Sequence, residues 1–335
     1  MDKIIQTWSQ TFPALRLQTV PTWRVTTPLA IVGGAWASYY LYKLASFTWL
    51  HFLRPSQLRR YTAKDSTVPW ALVTGASDGL GKGFVAELAS RGFNVVLHGR
   101  NEKKLEGVKQ DIQQQFPQRS FKLLILDAGS DAATMETRAY ELKDLNLKVL
   151  VNNVAGGAPQ DKLFRPFQEL PSPILNAILD QSARFAAQLT RFMLPQLAKQ
   201  QPALIVNIGS GVSEFATPYL ATYSGAKAFN MAWSRSLGLE MKGQGLDIEV
   251  LGILLGGVAT ERSQRDASVT QPSPRRMAKA CLDVVGCGKA IVYAYWFHAV
   301  QGIMIDVLPT FVMEKAILGM ARDMMAKQER GEVSL

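Results

Sequence analysis

The chain has 335 residues, 47% of them hydrophobic and only 19% charged, which excludes a disordered chain and points to a large core or an apolar anchor. Its net charge of +10 is concentrated at the start, where residues 1–64 hold eight Lys/Arg against Asp2 and so leave +3 for the rest. Basic charge beside an apolar segment suits an anionic membrane face, and without a basic stripe interleaved with aromatics no nucleic-acid partner is expected. Two cysteines (Cys281, Cys287) and three histidines supply neither a disulfide framework nor a zinc ligand set, so no metal is expected.

Residues 29–53 form an apolar stretch rich in Trp and Tyr, longer than the roughly 20 residues a membrane span needs. Lys43 sits near its middle, at an insertion cost of about 2.5–3.5 kcal/mol. We expect a membrane anchor here, with an interfacial aromatic helix as the alternative. Arg54, Arg59, Arg60 and Lys64 follow, and the positive-inside tendency then places the rest of the chain in the cytosol. Residues 55–69 read as a polar linker. The expected organisation is an N-terminal segment over 1–64, a cofactor-binding domain over 65–293 and an apolar extension over 294–335.

A short β-prone run at 70–74 leads into Gly75-Ala76-Ser77-Asp78-Gly79-Leu80-Gly81 and then a helical pattern. Gly75, Gly79 and Gly81 permit a tight turn and a close approach of backbone to a pyrophosphate, with Ser77 in the same loop. A second strand at 94–98 ends at Gly99-Arg100. An acidic residue there would bind the 2′-hydroxyl of NAD. Arg100 instead suits a 2′-phosphate, so the expected cofactor is NADPH. A third strand at 121–126 ends at Asp127, a candidate adenine contact, and a fourth at 148–151 ends at Asn152-Asn153. Helical patterns alternate with these strands, which predicts an α/β fold with a doubly wound parallel sheet of about seven strands. The remaining strands are expected at 204–208, 247–254 and 289–293, with one long helix over 174–199.

The fifth strand breaks at Gly209-Ser210-Gly211 and is followed by a helical segment carrying Tyr223 and Lys227. Residues four apart share a helix face. A free phenol has a pKa near ~10, and a nearby ammonium is expected to lower it into the working range of an acid. Ser210 could hold a substrate oxygen as negative charge develops on it. Residues 261–274 read as a polar flap, and residues 294–321 as two amphipathic helices that lie on a membrane or wall an apolar groove.

The ordered set Thr74–Gly81, Asn152-Asn153, Ser210 and Tyr223-x-x-x-Lys227 resembles the short-chain dehydrogenases/reductases. A narrower likeness, carried by GASDGLGKGF (75–84), LVNNV (150–154), TPYLATYSGAKAF (217–229) and YWFHA (295–299), is to microsomal very-long-chain 3-oxoacyl-CoA reductases. The resemblance implies reduction of a 3-oxoacyl-CoA by NADPH in fatty-acid elongation. It also implies an endoplasmic-reticulum membrane location with the catalytic domain facing the cytosol, other elongation enzymes as partners, and a homo-oligomer as an open question. Tyr223 would donate the proton. Lys227 would bind the nicotinamide ribose, Asn153 would line the cofactor, and Val258 and Thr260 would meet the carboxamide. Three departures stand out. Ser182 replaces the family's relay Asn, Ala155-Gly156 follows Asn-Asn-Val, and Leu255 replaces a Pro. They motivate two rival readings: a reductase of another lipophilic ketone, such as a steroid or polyketide, or an NADPH-binding subunit with little turnover.

Overall fold

The computed structural model describes residues 22–62, 67–155, 164–260 and 266–330. Residues 1–21, Lys64, Gly156, the flap residues 261–265 and the end of the charged tail lie outside them. The chain divides at Leu53/Arg54 into two compact units.

The first unit contains helix α1 (Thr22–Thr48), followed by a π-helical turn, Trp49–Leu53. The helix begins upstream of the expected span. Among the described residues, no helix is long and apolar enough to cross a membrane. The spanning helix expected over 29–53 is therefore not shown. Gly33, Gly34, Ser38, three tyrosines and Lys43 dilute its apolar content. Trp36 packs on Tyr40, with ring centroids 4.4 Å apart, and Lys43 Nζ lies 5.3 Å from the Tyr39 ring.

In the second unit, seven parallel strands run β1 (Trp70–Val73), β2 (Asn94–Gly99), β3 (Phe121–Ile125), β4 (Leu147–Asn152), β5 (Ala203–Ile208), β6 (Ile248–Leu254) and β7 (Ile291–Tyr293). Their order in the sheet is β3-β2-β1-β4-β5-β6-β7. The helices between them are α2 (Gly79–Ser90), α3 (Glu102–Gln115), α4 (Ala132–Tyr140), α5 (Ser172–Leu179), α6 (Phe185–Lys199), α7 (Ala221–Gly243) and α8 (Pro274–Asp283). Runs such as Ala71-Leu72-Val73 and Leu204-Ile205-Val206 are wholly buried, the continuous apolar pattern of a parallel sheet covered on both faces. One core joins Leu72, Val96, Leu150 and Ile205 of the sheet to Met135, Phe185, Leu189, Met193 and Met241 of the helices.

The long helix expected over 174–199 is instead α5 and α6 joined by a π turn, Asp180–Arg184, which holds the buried Ser182. The segment read as a polar linker is docked. Leu58 and Tyr61, in a short 3₁₀ turn, are 3% and 2% exposed. Arg54 donates to the carbonyls of Asp283 and Val285, Arg60 pairs with Asp247, and the Tyr61 hydroxyl donates to Glu249 at 2.7 Å. Arg54 and Arg60 therefore hold the linker against the base of the sheet. After β7 come α9 (Trp296–Val307) and α10 (Thr310–Glu329), the two helices expected there. They leave Ile303, Val307, Phe311 and Met320 more than half exposed.

Candidate active site

The strand order reverses between β1 and β4, and in such sheets ligands bind beyond the strands' carboxyl ends at that crossing. A cavity of about 540 Å³ lies there. Gly75, Ser77, Gly79, Arg100, Asp127, Asn153, Tyr223 and Thr260 all line it.

The loop after β1 is built for close approach. Gly75 has φ +64°, and a Cβ on Gly81 would fall 1.9 Å from the Gly75 carbonyl oxygen. Asn153 braces the turn, its Nδ2 donating to the Thr74 carbonyl at 3.0 Å while its backbone amide donates to Thr74 Oγ1 at 2.8 Å. Asp78 caps α2 by accepting from the Gly79 amide at 2.5 Å. Arg100 stands at the far wall with its side chain 67% exposed, 3.8 Å from Asp127. Asp127 Oδ1 accepts from the Gly129 amide. An exposed guanidinium beyond a glycine turn fits a phosphorylated dinucleotide.

Tyr223 and Lys227 come from α7 and Ser210 from the end of β5. The Ser210 hydroxyl is hydrogen-bonded to the Tyr223 phenol, the one influence that lowers the phenol's pKa against the burial that raises it. Lys227 is 1% exposed. Its Nζ donates to the Ile208 carbonyl at 2.8 Å and lies 5.9 Å from the Tyr223 ring centroid. Burial lowers this ammonium to about 8. The expected depression of the tyrosine by the lysine is thus not seen: burial of the phenol dominates, and the ammonium is turned to a main-chain oxygen.

Ser182, Lys227, Ser210, Gly81 and Val258 are not among the residues that line the cavity, whereas Gln181 is. The π turn presents the Ser182 main-chain carbonyl to Asn230 Nδ2 at 2.6 Å. Asn230 belongs to a buried chain the sequence did not reveal: its own carbonyl accepts from Ser234 Oγ, which accepts from Asn207 Nδ2, whose Oδ1 accepts from Asn152 Nδ2. Their spacing on separate elements carried no signal. His98 was also missed. It lines the cavity, stacks on Phe185 with centroids 4.9 Å apart, and accepts from the Gly75 amide at 3.4 Å. Desolvation lowers its pKa to about 4, keeping it neutral. His298 Nδ1 accepts from the Gly256 amide at 3.0 Å and its Nε2 faces the Thr270 carbonyl, linking the loop of Val258 and Thr260 to the described part of the flap.

Residues 69–270 match the family model described as short chain dehydrogenase. The chain belongs to the short-chain dehydrogenase family. As a short-chain dehydrogenase it is an oxidoreductase acting on a carbonyl or carbinol carbon. It is similar to a very-long-chain 3-oxoacyl-CoA reductase of Neurospora crassa, 32% identical over 90% of this chain and 87% of the relative. A protein of the same name from Scheffersomyces stipitis is 35% identical over 77% of this chain and 76% of its own length. Among solved structures, a 3-oxoacyl-[acyl-carrier protein] reductase from Brucella melitensis overlays with a TM-score of 0.60 at 20% identity, over 70% of this chain and 99% of that one. A 7β-hydroxysteroid dehydrogenase overlays at 0.65 with 19% identity, over 80% and 98%. These two likenesses show the fold.

Proposed function

We propose that this short-chain dehydrogenase reduces a long 3-oxoacyl-CoA to the 3-hydroxyacyl-CoA with NADPH, as a step of fatty-acid elongation. The observation that carries the reading is the Ser210–Tyr223 pair bordering the cavity that also holds the glycine turn and Arg100. The names of the relatives in Neurospora crassa and Scheffersomyces stipitis support the substrate class. NADPH, when bound, would supply the hydride that reduces C3 of the substrate, becoming NADP⁺.

The chain's residues handle binding and the proton. Arg100 binds the 2′-phosphate, and the Gly75–Gly81 turn with the α2 amides receives the pyrophosphate. Asp127, Asn153, Val258 and Thr260 line the rest of the cofactor, and Ser77 takes part in the phosphate loop. Ser210 donates to the substrate carbonyl oxygen as negative charge grows there. Tyr223 gives that oxygen its proton, so the carbonyl becomes a carbinol. With the cofactor bound, Lys227 would turn toward the nicotinamide ribose and would refill the tyrosine's proton through water. The Ser182 carbonyl and Asn230 hold the turn beside that path.

The apolar helix α1 is proposed to associate with the endoplasmic-reticulum membrane through its aromatic face, leaving the second unit in the cytosol beside other elongation enzymes. The test is NADPH oxidation by the purified chain with 3-oxoacyl-CoAs of graded length, beside steroid and polyketide ketones. A Tyr223→Phe variant should lose about 10²–10⁴-fold in rate while binding NADPH as before. Full activity in that variant refutes the mechanism, and turnover confined to the other ketones refutes the substrate.

A further inference from the structure

A second cavity, of about 800 Å³, is lined by Pro55, Ser56, Leu58, Arg59, Thr62, Ser90, Arg91, Gly92 and Arg119. None of these residues lines the cofactor cavity. Ser90, Arg91 and Gly92 stand between the end of α2 and the start of β2, and Arg119 precedes β3. The cavity therefore opens at the amino edge of the sheet, opposite the catalytic edge.

Its polar groups differ in how far they are committed. Ser56, Ser90 and Thr62 donate their hydroxyl protons to the carbonyls of Leu282, Glu87 and Arg59. Arg91 bonds Glu87 at 2.9 Å and Asp283 at 2.7 Å. Arg59 and Arg119 make no side-chain hydrogen bond or ion pair among the described residues, and Arg119 Nε is buried without a partner. The free donor capacity of the cavity thus rests on two guanidiniums. Among the described residues, the carboxylates beside Arg91, Glu87 and Asp283, are both bonded by it.

We propose that this cavity binds a phosphate monoester. Two uncommitted guanidiniums match the charge of a dianion, and their planar forks match its paired oxygens. A buried cationic nitrogen without an acceptor is costly, and a phosphate oxygen relieves that cost. The same chemistry is offered by a lipid such as phosphatidic acid or by a small soluble phosphate. Arg59 follows soon after the apolar helix in sequence, which favours the lipid. The cavity itself does not depend on the membrane association proposed above; only the lipid source does.

The test uses the full-length chain and its Arg59→Gln/Arg119→Gln variant in two arms. In the first, flotation measures binding to phosphatidylcholine vesicles with and without phosphatidic acid. In the second, calorimetry follows titration with glycerol 3-phosphate. The expected result is a loss of about tenfold or more in affinity for phosphatidic acid vesicles, with binding to phosphatidylcholine alone and the NADPH affinity unchanged. Loss confined to the glycerol 3-phosphate arm assigns the site to a soluble phosphate. Unchanged binding in both arms overturns the site. Should the double variant fail to bind NADPH, the single Arg59→Gln variant at the exposed position decides. It is expected to weaken one arm severalfold, with Arg59→Lys restoring part of the loss, and no change in either arm overturns the proposal.

Discussion

Replacing Lys227 by methionine should strengthen the fold while abolishing turnover. Burial lowers the Lys227 ammonium from 10.5 to about 8. The unfolded chain takes up this proton as pH falls through about 10.5, and the folded protein only as it falls through about 8. Between these values the unfolded state holds more protons, so wild-type stability gains from this residue as pH rises. Below that window, holding the ammonium buried costs roughly 3 kcal/mol relative to a neutral amine. The 2.8 Å bond to the Ile208 carbonyl offsets about 1.5–3 kcal/mol of this. Methionine of similar length is then expected to stabilise the protein by up to about 2 kcal/mol near neutral pH. Tyr61 and Cys281, both raised by burial, also couple stability to alkaline pH. The quantity to read is therefore the difference between the two proteins in urea melts from about pH 7 to about pH 10. The advantage of the variant should shrink across that range. A constant difference would refute the buried-ammonium argument, and retained NADPH oxidation would refute the role of Lys227 in turnover.

Arg100→Ala should weaken NADPH binding about tenfold or more and leave NADH binding nearly unchanged; equal losses by fluorescence titration would contradict the 2′-phosphate assignment. His98 is neutral in the fold, its pKa lowered from 6.5 to about 4, so acid favours the unfolded state. The protein should lose up to roughly 3 kcal/mol between about pH 6.5 and pH 4 from this residue, and His98→Leu should flatten that part of the stability profile measured by urea melts. Gly81→Ala places a methyl group 1.9 Å from the Gly75 carbonyl, so thermal melts should show a loss of about 3 kcal/mol or more and cofactor titration should show no binding. Normal binding would mean that the turn yields more easily than its geometry indicates.

The sheet was legible because each strand is a local property. Apolar runs such as Leu204-Ile205-Val206 report burial on both faces, and their observed ends fall within about two residues of the expected ones, the usual uncertainty of a strand boundary. The glycine turn and Arg100 were legible for the same reason, being punctuation between a strand and a helix. What stayed hidden depends on distant partners. The docking of residues 54–62 rests on Asp247, Glu249 and the carbonyls of Asp283 and Val285, so a stretch that is polar in composition reads as loose. The contact of Asn230 with Ser182 spans 48 positions. The Tyr223–Lys227 spacing fixed a shared face but not where the amine points, and it points to Ile208. The reach of helix α1 is less legible, because its length and apolarity are set against dispersed glycine, serine and tyrosine.

The extra residue in the turn at 180–184 bears on how substitutions there should be judged. The group offered to Asn230 is a peptide oxygen, which every amino acid carries. A motif survey scoring the side chain at 182 would rank this polypeptide as crippled. Its main-chain contact is nevertheless indifferent to that side chain, so long as the newcomer tolerates the wider coil.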